Sequence, residues 1–364
     1  MGKPSLARGK AMKSIYRAFG MILLLGLIGL LAGCGAGTIA MIDATPLVGA
    51  VPLVVSFDGS GSTSPSGIST YTWSFGTDDP DVHAESGTYT YEHAGTYTLR
   101  LTVRGEDGST ASTSLTVTVK PAVWITDANL NTVYKLDMQG NEITSFTLPF
   151  TEPHGITVGE VGGKAWLFVA CKNGGNQRIL RIDPVTGNVI QNYSAPAQSP
   201  LSLTYQAEMQ KQLWHVDGLS RKLYRLNPPD LQGYDAYGQS YFKATSPQVG
   251  DLPFLWVPQG LDWTSEANAA GYLWYFEGQN RMLYKIKIIP GYDIMSNTQL
   301  QIVGDPVNIP IFSASAIDMY DGKLWVIDVN THAIIEVDPA SGVLTGNRIT
   351  GFPGAAPAGL EIQH

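Results

Sequence analysis

The chain has 364 residues, 44% hydrophobic and only 15% charged, with a formal net charge of −8. That length exceeds one typical small domain and allows a sizeable core, and the acidic balance argues against a nucleic-acid partner, whose phosphates need a basic surface. Gly 40, Pro 22, Tyr 17 and Trp 8 favour a turn-rich β protein over a helical one.

Residues 1 to 33 do not belong to the fold. Lys3, Arg8, Lys10, Lys13 and Arg17 form a positive stretch without an acid, followed by the apolar run MILLLGLIGLLAG. That run is short for a membrane span, which needs about 20 apolar residues. Leu31-Ala32-Gly33-Cys34 resembles the lipobox of bacterial lipoproteins. The resemblance implies cleavage before Cys34, its lipidation, and a mature protein anchored to the membrane of the cell envelope without spanning it. Removing the five positive residues from 23 Lys+Arg, against 31 Asp+Glu, leaves a net charge of about −13. Lipidation also leaves Cys171 as the second and last cysteine, so no internal disulfide is expected. Cys171 follows the apolar run AWLFVA and reads as a buried, inert thiol.

After a tether at 34 to 40, residues 41 to 120 alternate with period two. LVVSFDGS, TYTWSFG, GTYTYEHAG, TYTLRLTVRG and TSLTVTVK are strands separated by Gly, Ser and Asp turns, as in a β-sandwich. Phe57 to Ser62 (FDGSGS), Tyr71 to Gly76 (YTWSFG) and Tyr91 to Val103 (YEHAGTYTLRLTV) resemble the PKD domain, an immunoglobulin-like module of extracellular proteins. The resemblance implies a spacer or adhesion role. Where that family continues with Asp-Gly, this chain has Thr77-Asp78-Asp79-Pro80-Asp81, an acidic loop that reads either as solvated or as a source of Ca²⁺ ligands.

Residues 121 to 364 repeat one pattern five times. A Trp opens VWITD, AWLFV, LWHVD, LWYFE and LWVID, at positions 124, 166, 214, 274 and 325. A second run follows each: VYKLD, ILRID, LYRLN, LYKIK and IIEVD. A third element reads P-x-G-aliphatic at Pro153, Pro258 and Pro357, with degenerate versions at Pro200 and Ala314. Short-strand repeats of this period predict a β-propeller of five blades, or six if residues 227 to 257 hide another. The C-terminal P-x-G strand is expected beside VWITD. The wording resembles NHL-repeat and streptogramin-lyase-like propellers, which host both binding proteins and enzymes. The predicted fold class is thus all-β throughout.

Two functional readings follow. In the first, the propeller is a platform for an envelope protein or glycan, and the long insertion at 228 to 257 carries the ligand-binding rings Tyr234, Tyr237, Tyr241, Phe242, Phe254 and Trp256. A second insertion runs from 288 to 312. In the other, resemblance to the lyase implies a metal-dependent lyase or lactonase, which needs a general base and acidic ligands for Ca²⁺ or Mg²⁺. His154 is the weak candidate for the base. Asp127, Asp217, Glu277 and Asp328, three positions after a Trp, are weak metal-ligand candidates, with Val169 breaking the series. The architectural alternative is that these acids cap turn N–H groups. His215 reads as a polar face residue and His332 as a solvated turn residue. The binding reading is preferred over the enzyme.

Overall fold

The computed structural model describes residues 37–195, 199–207, 212–219, 223–226, 258–266, 269–289 and 299–364. Cys34 and the segment before it lie outside the described residues, as do Tyr234, Tyr237, Tyr241, Phe242, Phe254 and Trp256. No helix among the described residues is long and apolar enough to cross a membrane.

The first unit is a two-sheet sandwich. Strands β1 (Asp43–Thr45), β3 (Leu53–Asp58) and β5 (Ser86–Tyr91) form one sheet in the order β1-β3-β5. Strands β2 (Val48–Ala50), β4 (Ile68–Ser74), β6 (Gly95–Gly105) and β7 (Thr110–Lys120) form the other, in the order β2-β7-β6-β4. Period-two alternation sends Trp73 and Phe75 inward together, where they meet Phe57 with ring centroids 4.6 and 5.3 Å away. Each large buried ring contributes about 1.5–3 kcal/mol through the apolar area it removes from water. The acidic loop is tied inward by Tyr89, whose hydroxyl donates to Asp79.

Among the described residues five antiparallel sheets follow. The first comprises β8 (Ala122–Asp127), β9 (Thr132–Leu136) and β10 (Glu142–Thr147), in the order β10-β9-β8-β27 with the C-terminal strand (Pro357–Gln363) beside β8. The second is β11 (Pro153–Val161), β12 (Lys164–Cys171), β13 (Arg178–Ile182) and β14 (Val189–Ser194). The third is β15 (Pro200–Gln206), β16 (Gln212–Asp217) and β17 (Leu223–Leu226). The fourth is β18 (Pro258–Glu266), β19 (Ala269–Glu277), β20 (Met282–Ile289) and β21 (Gln299–Ile302), with β22 (Val307–Asn308) also paired to β20. The fifth is β23 (Ala314–Tyr320), β24 (Lys323–Asp328), β25 (Ala333–Val337) and β26 (Leu344–Thr350). The C-terminal strand Pro357–Gln363 is β27. Part of the second insertion therefore supplies strands β21 and β22.

The propeller expectation is corrected by this topology. Among the described residues no sheet curls or closes on itself, so neither the five-bladed nor the six-bladed β-propeller, nor the NHL-repeat assignment, stands. Hydrogen-bonded pairing stays within each open sheet, and neighbouring sheets meet through side chains and close backbone approach.

The P-x-G strands make those approaches. Strand β11 packs against β15 and β27, β18 against β15 and β23, and β23 against β27. A Cβ at Gly359 would lie 1.9 Å from the His154 carbonyl oxygen, and one at Gly155 would lie 2.6 Å from the Leu203 nitrogen. Glycine here is a condition of strand-to-strand contact. Apolar clusters fill the space farther out, as where Trp325, Ile327 and Ile334 of the fifth sheet meet Val123, Ile125 and Leu360 of the first.

The sandwich joins the first sheet directly. Ala122 belongs to the sandwich core. Lys135 donates to the carbonyls of Ala50 and Pro52 at 3.4 Å each, and Gln363 donates to the carbonyl of Glu92 at 3.4 Å. Burial lowers the Lys135 ammonium to about 8, with Glu92 acting in the opposite direction.

Candidate functional site

The register of each first strand against its partner builds the site. Pro153, Pro200, Pro258, Ala314 and Pro357 lie opposite Cys171, Asp217, Glu277, Asp328 and Asp127. Four residues further along each first strand come Thr157, Thr204, Asp262, Asp318 and Glu361, opposite Phe168, Trp214, Trp274, Trp325 and Trp124. The strand-end column is thus acidic in four of the five repeats, with Cys171 in the second, and the middle column is polar in all five.

The strand-end column is occupied by turn chemistry. Asp127 accepts from the backbone N–H groups of Asn129 (2.9 Å), Leu130 (2.8 Å), Ala355 and Ala356 (3.0 Å). Burial opposes its charge, but those four donors outweigh burial and hold the carboxyl below the ordinary range. Asp217 accepts from Ser199 N (2.8 Å) and Leu219 N (3.1 Å), and Glu277 from Gln279 N and Asn280 N, both at 2.7 Å. Asp328 accepts from Ser313 Oγ, Thr331 Oγ1 (2.6 Å) and Asn330 N (3.2 Å). Each carboxylate serves its own sheet, and the four are not brought together. Cys171, not Val169, is the member of this column in the second sheet. Its thiol is fully buried and pushed by burial up to about 12, so it is inert.

The middle column converges. One carboxylate oxygen each from Asp262, Asp318 and Glu361 lies within 4.8 Å of the others. Asp262 accepts from Thr204 Oγ1 (3.0 Å) and Met319 N (2.9 Å), and Asp318 from Ile362 N (3.1 Å). These bonds cross between sheets, so the cluster is held by packing rather than by one loop. Burial raises Asp262 to about 6 against its hydrogen bonds. Burial, then the neighbouring charges of Asp262 and Glu361, raises Asp318 well above the carboxylate range. Glu361 keeps a partly exposed edge; burial, then Asp262, raises it to about 8, opposed by Val158 N–H and Thr157. The arrangement holds protons at neutral pH, and its three hard oxygen donors can in principle coordinate a divalent cation such as Ca²⁺ or Mg²⁺. The pattern P-x-G-aliphatic spans only four letters. The fifth letter, T, T, D, D and E in the five repeats, is the signal for this cluster.

The histidines stand apart from the cluster as grouped among the described residues. His154 sits on β11, its carbonyl accepting from Thr126 Oγ1 at 2.6 Å, and burial followed by Lys172 lowers its imidazole to about 4. His215 is fully buried, bonded at 2.8 Å through Nδ1 to the Ser202 carbonyl, and lowered by burial to about 4. Both rings are neutral at pH 7. His332 is partly buried, with Nε2 3.0 Å from the Phe352 carbonyl oxygen and its ring 4.4 Å from that phenyl.

Residues 41–120 match the PKD domain family. They form a PKD-like sandwich, which supports a generic protein-interaction role. Among solved structures, the PKD1 domain of the Vibrio cholerae metalloprotease PrtV is similar, with 25% identity, a TM-score of 0.21, and coverage of 23% of this chain and 98% of that one. The PKD1 domain of Vibrio anguillarum Epp gives 27% identity, a TM-score of 0.21 and coverage of 23% and 94%. A chain of a nidogen/laminin complex gives 11% identity and a TM-score of 0.38, over 81% of this chain and 98% of that one. No curated protein matches the chain in sequence.

Proposed function

We propose that the protein is a binding or scaffolding lipoprotein of the cell envelope. In this reading Cys34 carries the lipid, the PKD-like sandwich is spacer and adhesion module, and the five-sheet unit presents a surface to an envelope protein or glycan. The observation that carries the reading is the seam between the two units. Lys135 is 5% exposed and bonded to two sandwich carbonyls, while Gln363 bonds the sandwich and also accepts from Trp124 Nε1 at 3.0 Å. A buried charge tied across a seam holds the two units in one geometry, as a spacer that positions a platform must. Fractionation of cells tests the anchoring. Wild-type protein is expected in the membrane pellet and Cys34→Ala in the soluble fraction; equal partitioning of the two defeats the lipoprotein reading.

A second reading, a metal-dependent lyase or lactonase, draws support from the Asp262, Asp318 and Glu361 cluster. In it Asp262, Asp318 and Glu361 would hold the cation, which would supply Lewis-acid polarisation of a carbonyl. Its test is Ca²⁺- or Mg²⁺-dependent turnover of simple lactones that is lost in Asp318→Asn.

A further inference from the structure

A cleft of about 650 Å³ opens between the fourth and fifth sheets, bounded in part by His364 next to the sandwich. Its volume lies within the roughly 300–1,000 Å³ typical of small-molecule sites, which favour junctions of this kind. The walls include Thr264, Trp274, Lys285, Asp305, Asp321 and His364. Trp274 is partly exposed, and its indole plane is fixed by a 2.9 Å bond from Nε1 to Thr264 Oγ1. The Lys285 ammonium lies over both rings, 5.4 Å from the Trp274 centroid and 3.8 Å from that of Tyr272, so the cation covers part of one indole face and leaves the rest of the ring for a ligand. Asp305 and Asp321 are exposed carboxylates from two separate connecting segments on the same cleft.

We propose that this cleft binds a short, uncharged oligosaccharide, which names the ligand class for the binding reading above and rests on it. A pyranose presents an apolar C–H face and a rim of hydroxyls. The held indole matches the face, while carboxylates accept from hydroxyls and the ammonium donates to them. One ammonium against two carboxylates gives no field suited to a polyanion. A peptide held by strand addition would need unpaired backbone, whereas β19 and β20 each already pair on both sides. The segment from Val303 to Val307, part of the second insertion, contributes Asp305, so the lengthened repeat and the cleft coincide.

The test exposes the full chain to an array of neutral and charged oligosaccharides beside an array of peptides, then titrates the strongest neutral tetrasaccharide by calorimetry. Asp305→Asn, Asp321→Asn and Lys285→Met should each weaken binding roughly tenfold or more, as expected when a hydrogen bond to a charged group is lost. Unchanged melting temperatures in the two surface carboxylate variants would separate that loss from unfolding. A blank glycan array, binding confined to charged glycans or peptides, or affinity unaltered in all three variants would overturn the proposal. Any of those results leaves membrane retention through Cys34 intact, so failure here is distinct from failure of the envelope reading.

Discussion

Stripping divalent cations from the protein should make its stability fall as pH rises from 7 to 8. With their oxygens within 4.8 Å, ionised pairs among Asp262, Asp318 and Glu361 repel by about 3 kcal/mol each at an effective dielectric of ~20. The folded protein therefore retains protons that the unfolded chain has released. A carboxyl raised above its unfolded value contributes stability that is complete at low pH and disappears as pH climbs through the folded value, here about 6 for Asp262 and about 8 for Glu361. His154 and His215, lowered to about 4, lose stability in the other direction, as pH falls from ~6.5 toward 4. Lys135, lowered to about 8, acts chiefly above that value, where the unfolded chain still holds the proton. Between pH 7 and 8 the retained carboxyl protons outweigh the opposing contribution of Lys135, which reaches half its full slope only at pH 8. One retained proton corresponds to a slope of about 1.4 kcal/mol per pH unit, or a drop in Tm of roughly 3–6 °C for a unit of this size. A cation at a hundred times its Kd restores about 2.7 kcal/mol. Scanning calorimetry in EDTA at the two pH values, with and without excess CaCl2 or MgCl2, reads both effects. Asp318→Asn should flatten the slope and abolish the cation response. A wild-type Tm that is flat with pH and indifferent to both cations, or a variant that responds as the wild type does, refutes the reasoning.

Three further outcomes follow from the same contacts. Asp127→Ala removes four backbone acceptor bonds, two of them to the segment leading into β27, and should cost about 2–4 kcal/mol in equilibrium urea unfolding; a loss below about 1 kcal/mol contradicts the capping role. Gly359→Ala forces a Cβ against the His154 carbonyl and should lower stability by about 1–3 kcal/mol or more, an effect that an unchanged denaturation midpoint would disprove. Trp124→Phe leaves the buried Gln363 without its indole donor, whereas Trp325 Nε1 has no partner to lose. Trp124→Phe should therefore be costlier than Trp325→Phe by about 1–2 kcal/mol in paired melts.

Several of these features were legible as letters. The Trp repeats stood out because an indole recurs at the same strand position in four of the five sheets, buried at Trp124, Trp214 and Trp325 and partly exposed at Trp274. The second sheet misled, since Phe168 fills that position and Trp166, two residues earlier, lies on the same face. There Trp166 is instead held between Lys164 and Arg181, 4.6 and 4.2 Å from its ring centroid. That two-residue slip made Val169 look like a gap in the acid series, when the register places Cys171 there. The acids after each Trp drew attention because they recur, but a recurring acid beside a turn is satisfied by the turn's own N–H groups. Asp262, Asp318 and Glu361 escaped notice because their column mixes Thr, Asp and Glu, so no single letter repeats. Their proximity arises only when strands 56 and 43 residues apart, Asp262 to Asp318 and Asp318 to Glu361, pack side by side. The repeats marked one open sheet each among the described residues, whereas the closed propeller read from them does not form, because hydrogen bonding between repeats leaves no local signature.

The central claim is that this protein binds a component of the cell envelope. Cross-linking in intact cells, followed by recovery of the full-length protein and identification of its adducts, tests it most directly. The account predicts a defined adduct with an envelope protein or glycan, formed in the membrane fraction and dependent on Cys34. Recovery of the protein without any adduct, together with cation-dependent turnover of a lactone, would contradict it.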